Sequence, residues 1–332
     1  MPPPPPLKDT LEALQQCVLP GAGASALVMC AFLVVGRWRA AALGSAAAVV
    51  VAFMCGNFTL QNLKTGDPVP TWANTSRLLL WVPDEPSPGY QWLPRVALVL
   101  VAVGLVTRWL ASAVSCGRPP LLGWLANVLV WGLRTWALFL TTAWLVQGAA
   151  ASGPKWAYLR WELALAMLLV WVVTDGVARS GASGELSAYL AAAFYAGAAV
   201  LLYSHNAKFM ELAVLVGSAM LGIAVAVLAV PGRGDGVKVL ASGAIPAAVA
   251  FLPGLLLGTR PSHADNKVPG TSFWLVALAP LILAPFLIPR LSRQNRWLLV
   301  ALRALLVLTP LVAAVLLAGR HEKFPYEEEA EW

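Results

Sequence analysis

Ten stretches of predominantly apolar residues follow one another along this 332-residue chain, and no other feature restricts its fold as tightly. A hydrocarbon core about 30 Å thick needs roughly 20 apolar residues in a helix that crosses it. The stretches are Val18–Val35, Ala40–Leu60, Pro94–Ala113, Leu121–Gln147, Tyr158–Ala178, Ala188–Tyr203, Phe209–Val230, Lys238–Gly258, Phe273–Pro289 and Trp297–Ala318. Each is a continuous block without the in–out alternation of a barrel strand, and lipid offers an open backbone no partners, so helices are required. The expected fold is all-α: a polytopic integral membrane bundle of about ten transmembrane helices. It occupies residues 18–318 as one domain. A Pro-rich stub and short amphipathic segment (1–17) precede it, a long non-cytoplasmic loop (61–93) interrupts it, and an acidic tail (319–332) follows.

Composition agrees. Hydrophobic residues make up 59% of the chain and charged ones 12%, against about 25% charged in a soluble domain. The net charge of +7 is spread over short loops and forms no basic face, which excludes a nucleic-acid-binding role. The expected partners are the lipid bilayer and other membrane proteins. Tryptophans fall at span ends on both sides, as headgroup belts require: Trp38, Trp109, Trp124 and Trp297 on one, Trp92, Trp156, Trp161 and Trp274 on the other. Ten crossings put both termini on one side. The five short loops opposite carry Arg37, Arg39, Arg118, Arg179, Arg233, Arg290, Arg293 and Arg296 at a higher density than the termini side. By the positive-inside rule these loops are cytoplasmic and the termini are not. Arginine outnumbers lysine and isoleucine is scarce, a GC-rich bias that points to a bacterial plasma membrane.

Few residues offer chemistry. Cys17, Cys30, Cys55 and Cys116 are scattered, and His205, His263 and His321 sit in separate connections. Neither set has metal-ligand or haem spacing, so no cofactor is expected. Ionisable residues inside spans are costly unless partnered, which singles out Arg134, Asp175 and Arg303. If the fourth span starts late, these three lie at similar depth and form an anion-binding cluster for a carboxylate or phosphate, two arginines against one carboxylate. No acid falls at mid-depth, which disfavours proton coupling.

Outside the spans, Asp84 and Glu85 stand in a proline-rich segment of the long loop, behind a Thr71–Leu80 stretch patterned as a surface helix. With His263 and Asp265 they form a candidate metal or polar site at the outer interface. Pro246 and Pro253 interrupt the eighth span, Pro280 and Pro285 the ninth, and Pro310 the tenth. Kinks of this kind free backbone groups that transporters use to bind solutes. Neither a catalytic constellation nor a proton-coupling residue is recognisable. The reading is therefore a non-catalytic subunit or assembly protein of a membrane complex, and the residues lean against an enzyme. The alternative is a secondary transporter or channel for a small anionic or neutral solute through kinked helices eight to ten. A lipid-handling enzyme at the outer interface ranks third.

Overall fold

The computed structural model describes residues 7–35, 41–65, 93–115, 120–146, 158–179, 183–230, 243–258, 268–288 and 296–321. Among these there are no strands. In chain order the helices are α1 (Leu7–Val35), α2 (Ala41–Thr65), α3 (Leu93–Ser115), α4 (Pro120–Leu145), α5 (Leu159–Arg179), α6 (Ser183–Tyr203), α7 (Ala207–Ala229), α8 (Ile245–Leu256), α9 (Gly270–Leu278) and α10 (Arg296–His321). A 3-10 segment, Ala279–Leu287, continues α9. All ten apolar stretches fall on these elements. Eight are long and apolar enough to cross a membrane, whereas the apolar parts of α2 and α8 are shorter. The molecule is a multi-span, all-helical membrane bundle.

Several boundaries differ from the sequence reading: α2 runs on to Thr65, past Leu60, α8 begins at Ile245, after Lys238, and two others change how polar residues are placed. Helix α1 begins at Leu7 and runs unbroken through Pro20, so the amphipathic segment and the first span are one 29-residue helix. Helix α6 begins at Ser183, five residues before the apolar block, which brings Glu185 into its first turn. An acid there faces the positive end of the helix dipole, so charge and helix are compatible. The polar exit of α6 is a tight turn: His205 adopts φ 57, with His205 N–H donating to Leu202 O at 2.9 Å and Asn206 N–H to Leu201 O at 3.0 Å. That is a Schellman closure with histidine in the left-handed position usually given to glycine. Asn206 Oδ1 then accepts from Phe209 N–H and caps α7.

Small residues decide which helices meet. A β-carbon on Gly222 of α7 would lie 2.3 Å from Ala22 O and 2.6 Å from Ser25 Cβ of α1, and Ser25 Oγ donates to Ala219 O at 2.8 Å. With α2, these helices form one side of the bundle. Helices α3, α4 and α5 form another, and α6, α9 and α10 a third. Between them stands α8, in contact with α3, α5, α6, α7 and α9, and all twelve of its residues are buried. Twelve residues span only about 18 Å, roughly half of what a crossing needs. Its first turn, at Pro246, abuts Gly104 midway along α3, and Gly254 near its end meets Leu93 at the start of α3. Helix α8 is thus a half-length element walled in by full-length ones.

The prolines have different parts. Pro246 lies in the opening turn of α8, where a missing N–H costs nothing; Pro253 and Pro310 lie inside α8 and α10. Pro280 and Pro285 coincide with the change from α to 3-10 geometry over nine residues, an unusually long run for that helix type. Helices α2 and α3 barely touch. A shallow apolar cleft with a cavity volume of only about 20 Å³ separates them in front of α8, lined by Val49, Phe53, Ala97, Val101, Ala247 and Phe251.

Candidate functional site

Arg134 and Asp175, on α4 and α5, are each 4% exposed and face one another. Arg134 Nη1 donates to Asp175 Oδ2 at 3.0 Å, and its Nε donates to Thr107 Oγ1 of α3 at 3.1 Å. The guanidinium lies between two indoles, 4.7 Å from the Trp131 ring centre and 4.9 Å from that of Trp171. Both contacts are within cation–π range. One turn further along α5, Arg179 Nη2 bonds the same Asp175 oxygen; this is the favourable acid-before-base order at i, i+4. Arg108 follows Thr107 on α3.

The depth of this group follows from helix lengths. Asp175 is one turn from the end of α5, whereas Arg134 is fourteen residues into α4. The first turns of α4 therefore project past the end of α5 on the short-loop side, by about 15 Å at 1.5 Å per residue. Trp124 and Leu129 there are 65% and 71% exposed. Arg134 comes level with Asp175 because α4, which runs from Pro120 with its apolar span from Gly123, projects past the end of α5.

Arg303 is elsewhere. Its Nη1 donates to Glu185 Oε2 at 3.1 Å, and its guanidinium lies 5.1 Å from the Phe286 ring centre. Its Nε is buried without a hydrogen-bond partner. Nearby, Tyr189 OH donates to Val300 O at 3.1 Å and ties α6 to α10. The expected cluster of Arg134, Asp175 and Arg303 is therefore two ion pairs, and the expected shortage of carboxylate is corrected: Glu185 supplies the second one. It was missed because the apolar block begins at Ala188 while the helix begins five residues earlier. The 3-10 segment links the pairs. Its Phe286 lies under Arg303, and its Leu287 packs on Gly176, the neighbour of Asp175.

Sequence reasoning also missed Thr107 and Arg179 as partners in this group, and the two indoles Trp131 and Trp171 at the guanidinium. The Asp175/Arg179 spacing was a usable signal; the role of Thr107 depends on which helix lies beside α4. At the opposite end, Arg160 of α5 donates from Nη2 to Phe139 O at 2.8 Å and stacks over the Phe139 ring. Asp84, Glu85, His263 and Asp265, like the Thr71–Leu80 stretch and the acidic tail beyond His321, lie outside the described residues. Among the described residues no three His, Cys, Asp or Glu side chains come together as metal ligands would. No known protein family, no curated protein and no solved structure matches the chain.

Proposed function

We propose that this chain is a non-catalytic subunit or assembly protein of a membrane complex, set in a bacterial plasma membrane with its short loops in the cytoplasm. The observation that carries this reading is how its intramembrane charges are spent. Arg134 and Arg303 are each tied to a carboxylate of the same chain, and the helix at the centre, α8, is apolar along its length. Buried pairs of this kind hold helices in register. A solute pathway would instead need polar groups left open to water at mid-depth. Helix α4 is the face to test for a partner. It packs on α3 and α5 alone to any extent, and its Trp124, Leu125, Val128, Leu129 and Trp136 are turned outward.

The test is purification of the tagged chain from native membranes in mild detergent, with a photocrosslinking residue at Leu129 or Trp136. A stoichiometric polypeptide crosslinked at α4 is the expected result. A monomer that crosslinks only lipid would reject the proposal.

A transporter or channel is the second reading, favoured by one observation: the nine-residue 3-10 segment lies between the two ion pairs, packed on α5 and α10. Single cysteines at Leu281 and Ala284 discriminate. Reaction with water-soluble thiosulfonates from either side of the membrane would favour transport, and lack of reaction from both sides would remove it.

A further inference from the structure

Helices α6 and α10 run side by side in the same direction and are joined at both ends. Towards the short-loop face Arg303 Nη1 donates to Glu185 Oε2, and Tyr189 OH donates to Val300 O. At the other end a β-carbon on Gly319 would come within 3.1 Å of the Tyr203 hydroxyl. Between these joints the helices part. Ala192 and Ala196 of α6 are too short to fill the gap, an apolar groove of about 260 Å³ walled by Leu308, Leu311, Val312 and Leu316 of α10. Leu311 is buried, whereas Val312 and Leu316 are 55% and 59% exposed, so the groove opens outward, where lipid lies. Leu308 to Leu316 is about 12 Å of helix. The groove is larger than the roughly 150 Å³ apolar cavity that admits a benzene ring, yet a helix 10–12 Å across would need about four times its volume over the same length. A single hydrocarbon chain fits. Trp297, 80% exposed, marks one headgroup layer. Arg320 is about 35 Å further along α10, more than the roughly 30 Å of the hydrocarbon core, so it reaches the opposite headgroup layer. It is exposed, one turn beyond Leu316, and His321 follows it. The groove therefore begins near mid-depth and ends below a cation.

We propose that the groove between α6 and α10 binds one acidic phospholipid from the leaflet on the Arg320 side, an acyl chain lying along Ala192 and Ala196 and the phosphate held by Arg320. Apolar contact alone hardly separates a bound chain from a free one, since lipid tails are as apolar as leucine. The shape of the groove holds the chain, and the guanidinium, a donor fork matched to phosphate oxygens, supplies the preference for a negative headgroup. The ammonium of a choline headgroup offsets that attraction. The groove lies on α6 and α10 and the candidate partner face on α4, so the lipid site stands whether or not a polypeptide binds α4.

The test titrates the full chain in a neutral detergent with dioleoylphosphatidylglycerol or dioleoylphosphatidylcholine and follows binding by native mass spectrometry and thermal unfolding. One phosphatidylglycerol retained per chain, about tenfold tighter than phosphatidylcholine, is the expected result. Ala196→Phe fills the groove from its floor and should abolish the retained lipid, while the lipid-free protein unfolds at or above its natural temperature, as a filled cavity predicts. Val312→Trp closes the open side from an exposed position and should give the same loss, which keeps the test in force if Ala196→Phe does not fold. Arg320→Gln should remove the preference alone, leaving phosphatidylcholine binding as in the natural chain. Equal retention of the two lipids by the natural chain, or phosphatidylglycerol binding that survives both groove variants, overturns the proposal. So does a dimer of the natural chain that Ala196→Phe separates, which would assign the groove to a second copy.

Discussion

A buried arginine between helices is tolerable only when its N–H groups have somewhere to go, and Arg134 meets that condition with an acid, a hydroxyl and two indole faces from three different helices. Removing one member of such a pair leaves a charge stranded in a medium that cannot solvate it. Arg134→Met or Asp175→Leu alone should each cost roughly 3–5 kcal/mol, and the double substitution less than either single one. Unfolding of the four proteins in a denaturing-detergent titration completes the cycle, and equal, additive losses would contradict it. The Arg303–Glu185 pair should show a smaller penalty on Arg303→Met, because the Glu185 side chain is 19% exposed and water can reach it once its partner is gone. Asp175 and Arg134 were both visible in the sequence as costly residues inside apolar blocks. Thr107 and Glu185 were not, since one is an ordinary hydroxyl on its own helix and the other lies just outside the oily run.

At the scale of the element, two sites make opposite predictions. Gly222 has no room for a side chain against α1, so Gly222→Val should force α1 and α7 apart, break the Ser25–Ala219 hydrogen bond and cost at least about 1–3 kcal/mol. Gly132 on α4 has nothing within 4 Å of its would-be β-carbon, so Gly132→Ala should be neutral or stabilising by up to about 1 kcal/mol. Thermal unfolding in one detergent checks both, and a loss at Gly132 would place a neighbour where none is described. The 3-10 segment gives a geometric test. Replacing Pro280 and Pro285 by alanine should let the nine residues relax to α geometry, with a rise of about 1.5 Å per residue in place of about 2.0 Å, a shortening of roughly 4 Å. Spin labels at Leu275 and Ile288 would report it, and an unchanged distance would show that the packing against Gly176 and Arg303, and not the prolines, sets the geometry.

For the whole molecule, the consequence is topological. Helix α6 is long and apolar enough to cross a membrane, so threading it once puts its Ser183 end and the His205 turn on opposite faces. With Ala182→Cys or His205→Cys as the only cysteine, an impermeant maleimide applied to intact cells should label His205→Cys and spare Ala182→Cys until the cells are opened. Labelling of both from outside would break the even count of crossings, and the reverse pattern would invert the orientation derived from arginine density. Both ion pairs would then face away from the cytoplasm, because both lie towards the short-loop ends of their helices.

The multi-span character, helical class and the cost of Arg134, Asp175 and Arg303 were legible from the residues alone. They rest on transfer of groups between water and hydrocarbon, a property each short stretch carries by itself. Which charge meets which, that α8 is a half-length helix enclosed by five others, and that the ninth span changes helix type part-way are matters of tertiary structure. They depend on which helices lie side by side and at what relative depth, and small residues such as Gly222 and Gly104 set that through close contacts between segments far apart in sequence.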